Sequence, residues 1–102
     1  MFTKPLVAIA LLASFCYTHA QECTLVLQGK ITDFHDSQPL ELAQIYVVQL
    51  QKTYISKSDG SYEITDLCPG NYNISISHYD CDTKKTEIKI DQNKTLHITL
   101  EH

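Results

Sequence analysis

From Leu25 onward, apolar and polar residues alternate with a period of two, and this alternation constrains the chain more than any other feature. Successive side chains of a strand point to opposite faces, so the pattern describes half-buried β-strands; helical spacing is hard to find. The clearest stretch puts Tyr72, Ile74, Ile76 and His78 on one face and Asn71, Asn73, Ser75 and Ser77 on the other. Earlier, Leu25, Leu27, Gly29 and Ile31 alternate with Thr24, Gln28, Lys30 and Thr32. The turn formers of Asp33 to Pro39 separate that strand from Leu40 to Gln49, where Ala43, Ile45 and Val47 share a parity, and a hairpin joining the two is expected. A short strand follows over Thr53 to Ser56. Ser58-Asp59-Gly60 then marks a tight turn, because glycine accepts the positive φ that hairpins need. Tyr62 and Ile64 alternate up to Leu67, and Pro69-Gly70 turns the chain into the Tyr72 strand. After a polar stretch from Tyr79 to Lys85, Thr86, Ile88 and Ile90 alternate, and beyond Gln92-Asn93 so do Leu96, Ile98 and Leu100. Seven short strands at this spacing predict an all-β fold, a small antiparallel sandwich.

The first twenty residues read differently. Lys4 gives a positive start, Pro5 to Phe15 is a nearly unbroken apolar run, and Thr18-His19-Ala20 ends in a small residue before Gln21. That is the layout of a cleaved signal peptide, residues 1–20, too short in its apolar part to span a bilayer. Its removal from the 102 residues leaves 82, Gln21 to His102. Such a chain buries roughly 60 to 65% of its unfolded surface, so one core is the limit. A transmembrane barrel or a two-domain enzyme does not fit.

Without Lys4 the chain holds seven lysines, no arginine and twelve acids, a net charge of −5, which disfavours phosphate and nucleic-acid ligands. Export implies an oxidising compartment. Cys16 leaves with the leader, and Phe15 occupies the place where a lipoprotein signal needs a small residue. Cys23, Cys68 and Cys81 remain, an odd number that predicts one disulfide and one free thiol.

Three segments follow one another at consistent intervals: Leu27 to Asp33, Gln38 to Val47, and Ser58 to Ile64 with Pro69-Gly70-Asn71-Tyr72. Together they resemble the carboxypeptidase regulatory-like domain, whose fold is a seven-stranded prealbumin-like (transthyretin-like) sandwich. The resemblance covers residues 21–102 almost entirely. A narrower likeness lies inside it. Cys23 ahead of the first strand, Leu67-Cys68-Pro69-Gly70, Ser77-His78-Tyr79-Asp80-Cys81 and the closing Leu100-Glu101-His102 resemble the N-terminal extension of TonB-dependent outer-membrane receptors. There the sandwich precedes a TonB box, a plug and a barrel. Two departures stand out: Lys57 takes a place where the family often has an acid, and Ser77 to Asp80 replaces a common glycine-tyrosine pair.

Cys68 and Cys81 flank an extended strand and so lie more than about 20 Å apart, too far for a bridge. If the first strand pairs with the second, and the second with the Tyr72 strand, both antiparallel, then Cys23 and Cys68 share one end of the sheet. A Cys23–Cys68 disulfide follows, with Cys81 as the free thiol. Cys81 lies three residues after His78, beside Asp80 and Asp82. Thiolate and imidazole suit zinc or copper, yet the spacing supplies only two good ligands. His78 therefore reads as a core or edge residue, and an intermolecular disulfide is the better role for Cys81.

No nucleophile elbow, zinc-protease helix or buried carboxylate pair can be assembled, so neither a catalytic residue nor a cofactor is expected. The family name reflects the enzymes the domain accompanies, not their zinc ligands. Asn73-Ile74-Ser75 and Asn93-Lys94-Thr95 match the glycosylation sequon, without meaning in a bacterial receptor. The resemblance implies a periplasmic, non-catalytic extension of a TonB-dependent receptor, acting as an interaction or spacer module in nutrient uptake. Its partners are an envelope or TonB-system protein, or the plug and barrel of a longer receptor. The alternative is a free-standing exported module that binds a peptide, a glycan or an envelope protein through an edge strand.

Overall fold

The computed structural model describes residues 22–102, so the leader reading of residues 1–20 and Cys16 lies outside the described residues. Eight strands follow in order: β1 (Leu25–Asp33), β2 (Gln44–Val47), β3 (Lys52–Ile55), β4 (Ser61–Leu67), β5 (Gly70–His78), β6 (Cys81–Ile90), β7 (Lys94–Thr95) and β8 (Ile98–Leu100). They form two sheets. In the first, β1 has β4 on one side and β7 then β8 on the other; the second runs β3-β2-β5-β6.

The alternation determines what lies between the sheets. Leu27 and Ile31 of β1, Tyr62, Ile64 and Leu67 of β4, and Ile98 and Leu100 of β8 are buried from one side. Ile45 and Val47 of β2, Tyr72, Ile74 and Ile76 of β5, and Ile88 and Ile90 of β6 meet them from the other. Burying a large aliphatic side chain contributes about 1.5–3 kcal/mol before ordering costs, so this single interleaved layer is the main source of stability.

The structure corrects the sequence reading in three places. First, β1 and β2 do not form a hairpin. They belong to different sheets, and the isolated bridge that β1 makes with the connecting segment, Thr32 to Pro39, falls short of β2. Residues 34–43 cross from one sheet to the other and bury Ala43 on the way, because two strands with the same alternation can face each other across a core as well as lie side by side. Second, β6 begins at Cys81, directly after a two-residue turn at Tyr79-Asp80, with His78 opposite Cys81. The stretch from Asp82 to Lys85 looks like a loop only because both its faces are wet on this outer strand. Third, the strand expected over Leu96 to Leu100 starts only at Ile98 as β8, a short β7 precedes it with a break at Leu96-His97, and both run parallel to β1.

Gly29 explains that split. A Cβ there would stand inside the Leu96 carbonyl group. The Leu96 carbonyl lies against Gly29 at this point, where the Leu96 N–H donates to Gln28 O at 2.8 Å and the Tyr62 hydroxyl donates to Leu96 O at 2.5 Å. His97 Nδ1 accepts the Lys30 N–H at 3.1 Å, a side chain standing in for a ladder bond. Gly60, the other demanding glycine, has φ 82° in the turn before β4 and would clash through a Cβ with Ile31 O.

Candidate functional site

Cys23 is bonded to Cys68 across a sequence separation of 45. The expected pair forms, but not by the expected route. β1 pairs antiparallel with β4, Leu25 opposite Leu67, which brings the residues just outside that rung together. The bridge fastens the start of the sandwich to the crossing from β4 to β5.

Cys81 is unbridged and partly buried. Burial pushes its thiol up, and Asp33, Asp80 and Asp82 push it the same way. A thiol held protonated is a slow nucleophile and a poor metal ligand. His78 is committed locally: its Nδ1 accepts the Asp80 N–H at 3.3 Å and its Nε2 donates to Glu41 O at 3.1 Å. Cys81 Sγ lies 3.9 Å from the same Nδ1. The structure thus brings together the two residues that sequence reading weighed as ligands, with the histidine clasping the β5-β6 turn to the segment before β2. Among the described residues, no group of three or more His, Cys, Asp or Glu is placed to hold a metal.

Sequence reading missed a cluster at the same end of the sandwich. Asp33 Oδ1 accepts the His35 N–H at 2.7 Å, and Asp33 Oδ2 lies 2.6 Å from His102 Nε2, which must be the donor because a carboxylate only accepts. His35 Nε2 lies 3.3 Å from the His102 carbonyl oxygen. The Asp33 side chain is only 12% exposed. The His35 N–H holds its carboxyl below the usual carboxylate range, and His102 adds to this against the opposing effect of desolvation. The only sequence signal was an aspartate at the head of a turn-rich segment, where it caps its own loop. Ser56 was also missed. Its buried hydroxyl accepts the Ala43 N–H at 2.9 Å and donates to Leu40 O at 2.6 Å. Among the described residues, no buried side-chain nitrogen or oxygen lacks a partner. These interior polar groups hold the architecture.

The edges of the two sheets are blunted. β3 has four residues and opens with Lys52. β4 carries a bulge against β1, with Asp66 at φ 59°. β6 presents Asp82, Lys84, Lys85, Glu87 and Lys89, all exposed. Short strands, bulges and edge lysines are what keep a sheet from accepting another strand. The outer face of the second sheet differs. Tyr46 lies opposite Ser75 and Ser75 opposite Lys85; one rung away, Asn73 lies opposite Glu87. These residues and Val48 line an open depression of about 600 Å³. Tyr46 and Val48 are exposed, as is Ile55 on the neighbouring strand.

With this geometry in place, comparison with known proteins defines the class. The CarboxypepD_reg-like domain model matches residues 27–102, and the chain belongs to that family. No curated protein sequence matches the chain. Among solved structures, it is similar to a chain of a type II cohesin-X-dockerin complex from Acetivibrio cellulolyticus, with a TM-score of 0.64 and 18% identity over 74% of this chain and 56% of that one. A DUF3823 family protein from Bacteroides ovatus gives 0.61 and 18% over 76% and 43%. A proposed carbohydrate-binding protein from Pseudomonas aeruginosa gives 0.54 and 10% over 89% and 96%. The chain thus spans about half the length of the first two. At these identities the likeness is one of fold.

Proposed function

We propose that this family member is a non-catalytic exported interaction module, standing as the N-terminal periplasmic extension of a TonB-dependent outer-membrane receptor in nutrient uptake. One observation carries the interaction reading. The described fold uses its interior polar side chains to hold its own chain in place, through Ser56, Asp33 and Tyr62, and leaves an open, mixed apolar and polar face on the second sheet. A catalytic site would need a nucleophile and a base free to meet a substrate in a shared cleft. The receptor reading is supported by the leader-like start and by Leu67-Cys68-Pro69-Gly70 with the bridged Cys23. Its partner is then an envelope or TonB-system protein, or the plug and barrel of the same receptor. The blunted edges favour contact through the face rather than by strand addition.

A second reading, a free-standing exported binding module, is favoured by the Pseudomonas aeruginosa structure, because the chain covers 96% of that protein. The two readings separate on an immunoblot of fractionated source cells with antiserum raised against this chain. The receptor reading predicts a single species in the outer-membrane fraction, far larger than 11.6 kDa. A soluble species at or below that mass would overturn it in favour of the second.

A further inference from the structure

We infer that the Tyr46 face of the second sheet is a binding site for a neutral saccharide. The inference rests on the interaction-module reading and goes beyond the protein partner proposed above, giving the same face a saccharide ligand of its own. Its first support is composition in register. Tyr46, Ser75 and Lys85 form one row across β2, β5 and β6, and Asn73 and Glu87 a second beside it. This sets a phenol, a hydroxyl, an ammonium, an amide and a carboxylate around one depression, donors and acceptors together on three neighbouring strands. A sugar ring presents the matching pattern, hydroxyls around its rim and C–H groups on its flat faces. The exposed Tyr46 ring with Val48 supplies the apolar partner for those C–H groups.

Unused hydrogen-bonding capacity is the second support. Some surface polar side chains serve the backbone: Asn93 accepts from Val26, Gln49 from Asn73, Asp59 from Ser61 and Asp36 from Gln38. Among the described residues, the side chains of Asn73, Ser75, Lys85 and Glu87 make no intramolecular hydrogen bond or ion pair. They are solvated and available, already held in register by the strands beneath.

Charge selects the ligand. Lys85 and Glu87 lie two residues apart on β6 and cancel within the depression, while the whole chain is acidic, at −4. An anionic polymer would meet a repulsive overall field and no cation excess in the depression's lining, Lys89 standing one row beyond it opposite Asn71, and a polycation would find a single carboxylate. A neutral polyhydroxylated chain meets neither cost. A depression of about 600 Å³ lies within the range of small-ligand sites and is open enough for an extended chain to pass through.

The test is an amide ¹H–¹⁵N titration of the exported, bridged chain with maltohexaose, cellohexaose and mannohexaose, and with oligogalacturonate as the acidic control, each to about 10 mM. At least one neutral hexaose should produce saturable shifts confined to Tyr46, Val48, Asn73, Ser75, Lys85 and Glu87. Tyr46→Ala should weaken that binding at least tenfold with the remaining spectrum unchanged, and Ser75→Ala should weaken it less. No shifts with any neutral hexaose, shifts centred elsewhere, or equal binding of oligogalacturonate would overturn the saccharide assignment. The immunoblot reads the module's context independently, so either conclusion can fail without the other.

Discussion

Leu25 stands opposite Leu67 in the β1-β4 ladder, and this rung is what places Cys23 against Cys68. The bridge closes a loop of 45 residues, more than half of the described chain. On the chain-entropy model a loop of that size contributes about 4 kcal/mol by constraining the unfolded state. Small sandwiches have little stability to lose. Urea unfolding of Cys68→Ser should therefore shift the midpoint down by about 1–3 M, while Cys81→Ser should leave it nearly unchanged. An unchanged midpoint in Cys68→Ser would contradict this role.

Ser56 joins the end of β3 to the segment before β2 through one hydroxyl with two partners. Ser56→Ala leaves the Ala43 N–H and the Leu40 carbonyl without that partner in a buried setting. Leaving such groups unpaired costs about 1–3 kcal/mol. The loss should appear as a lower thermal midpoint with the circular dichroism of the folded state retained.

Gly29 lets the Leu96 carbonyl lie against β1 and meet the Tyr62 hydroxyl. Gly29→Ala should displace β7 and disrupt that bond, at a cost of about 2–3 kcal/mol, more than Ser56→Ala if the displacement spreads into β8. Tyr62→Phe should lose less, because the approach of Leu96 to Gly29 survives. Burial pushes the Tyr62 phenol up to about 12, so its contribution is present below pH 10 and fades as the pH rises from there toward 12. Absorbance titration at 295 nm of wild type against Tyr62→Phe checks this: the high-pH step should vanish in the variant.

Asp33 ties the β1 end to His35 and His102. Its carboxyl is held below the usual range in the folded state, so the unfolded chain binds the proton first as the pH falls. The stability it contributes is complete above the unfolded pKa near 3.8 and is lost as the pH drops through the lower folded value. Thermal midpoints of Asp33→Asn should thus fall less steeply than wild type between pH 5 and about 2. Parallel curves would show that another carboxylate governs acid sensitivity.

How much of this was legible in the sequence depended on how local each signal is. The core faces of β1, β4, β5 and β8 followed from alternation alone, since Tyr72, Ile74 and Ile76 must face one way whatever lies opposite. Sheet membership did not follow. Nothing in Leu25 to Ile31 or Leu40 to Gln49 states whether the two strands lie side by side or face to face, and the structure chose the latter. β6 was read short because alternation disappears where both faces of an outer strand are wet. The Cys23–Cys68 pair was reached by a pairing the structure lacks, and it stands because β4 brings Leu67 to Leu25 instead. The Tyr46 face was visible only in part. The row of Asn71, Asn73, Ser75 and Ser77 could be read along one strand, but Tyr46, Lys85 and Glu87 join it only through cross-strand register.

On the proposed reading the module works through the outer face of its second sheet. Site-specific photocrosslinking in source cells tests it most directly, with a benzophenone side chain at position 46 on that face or at position 63, an exposed site on the edge strand β4 of the first sheet. A mobility-shifted adduct from position 46 and none from position 63 is the predicted result. Adducts from position 63 alone, or none from either, would contradict it.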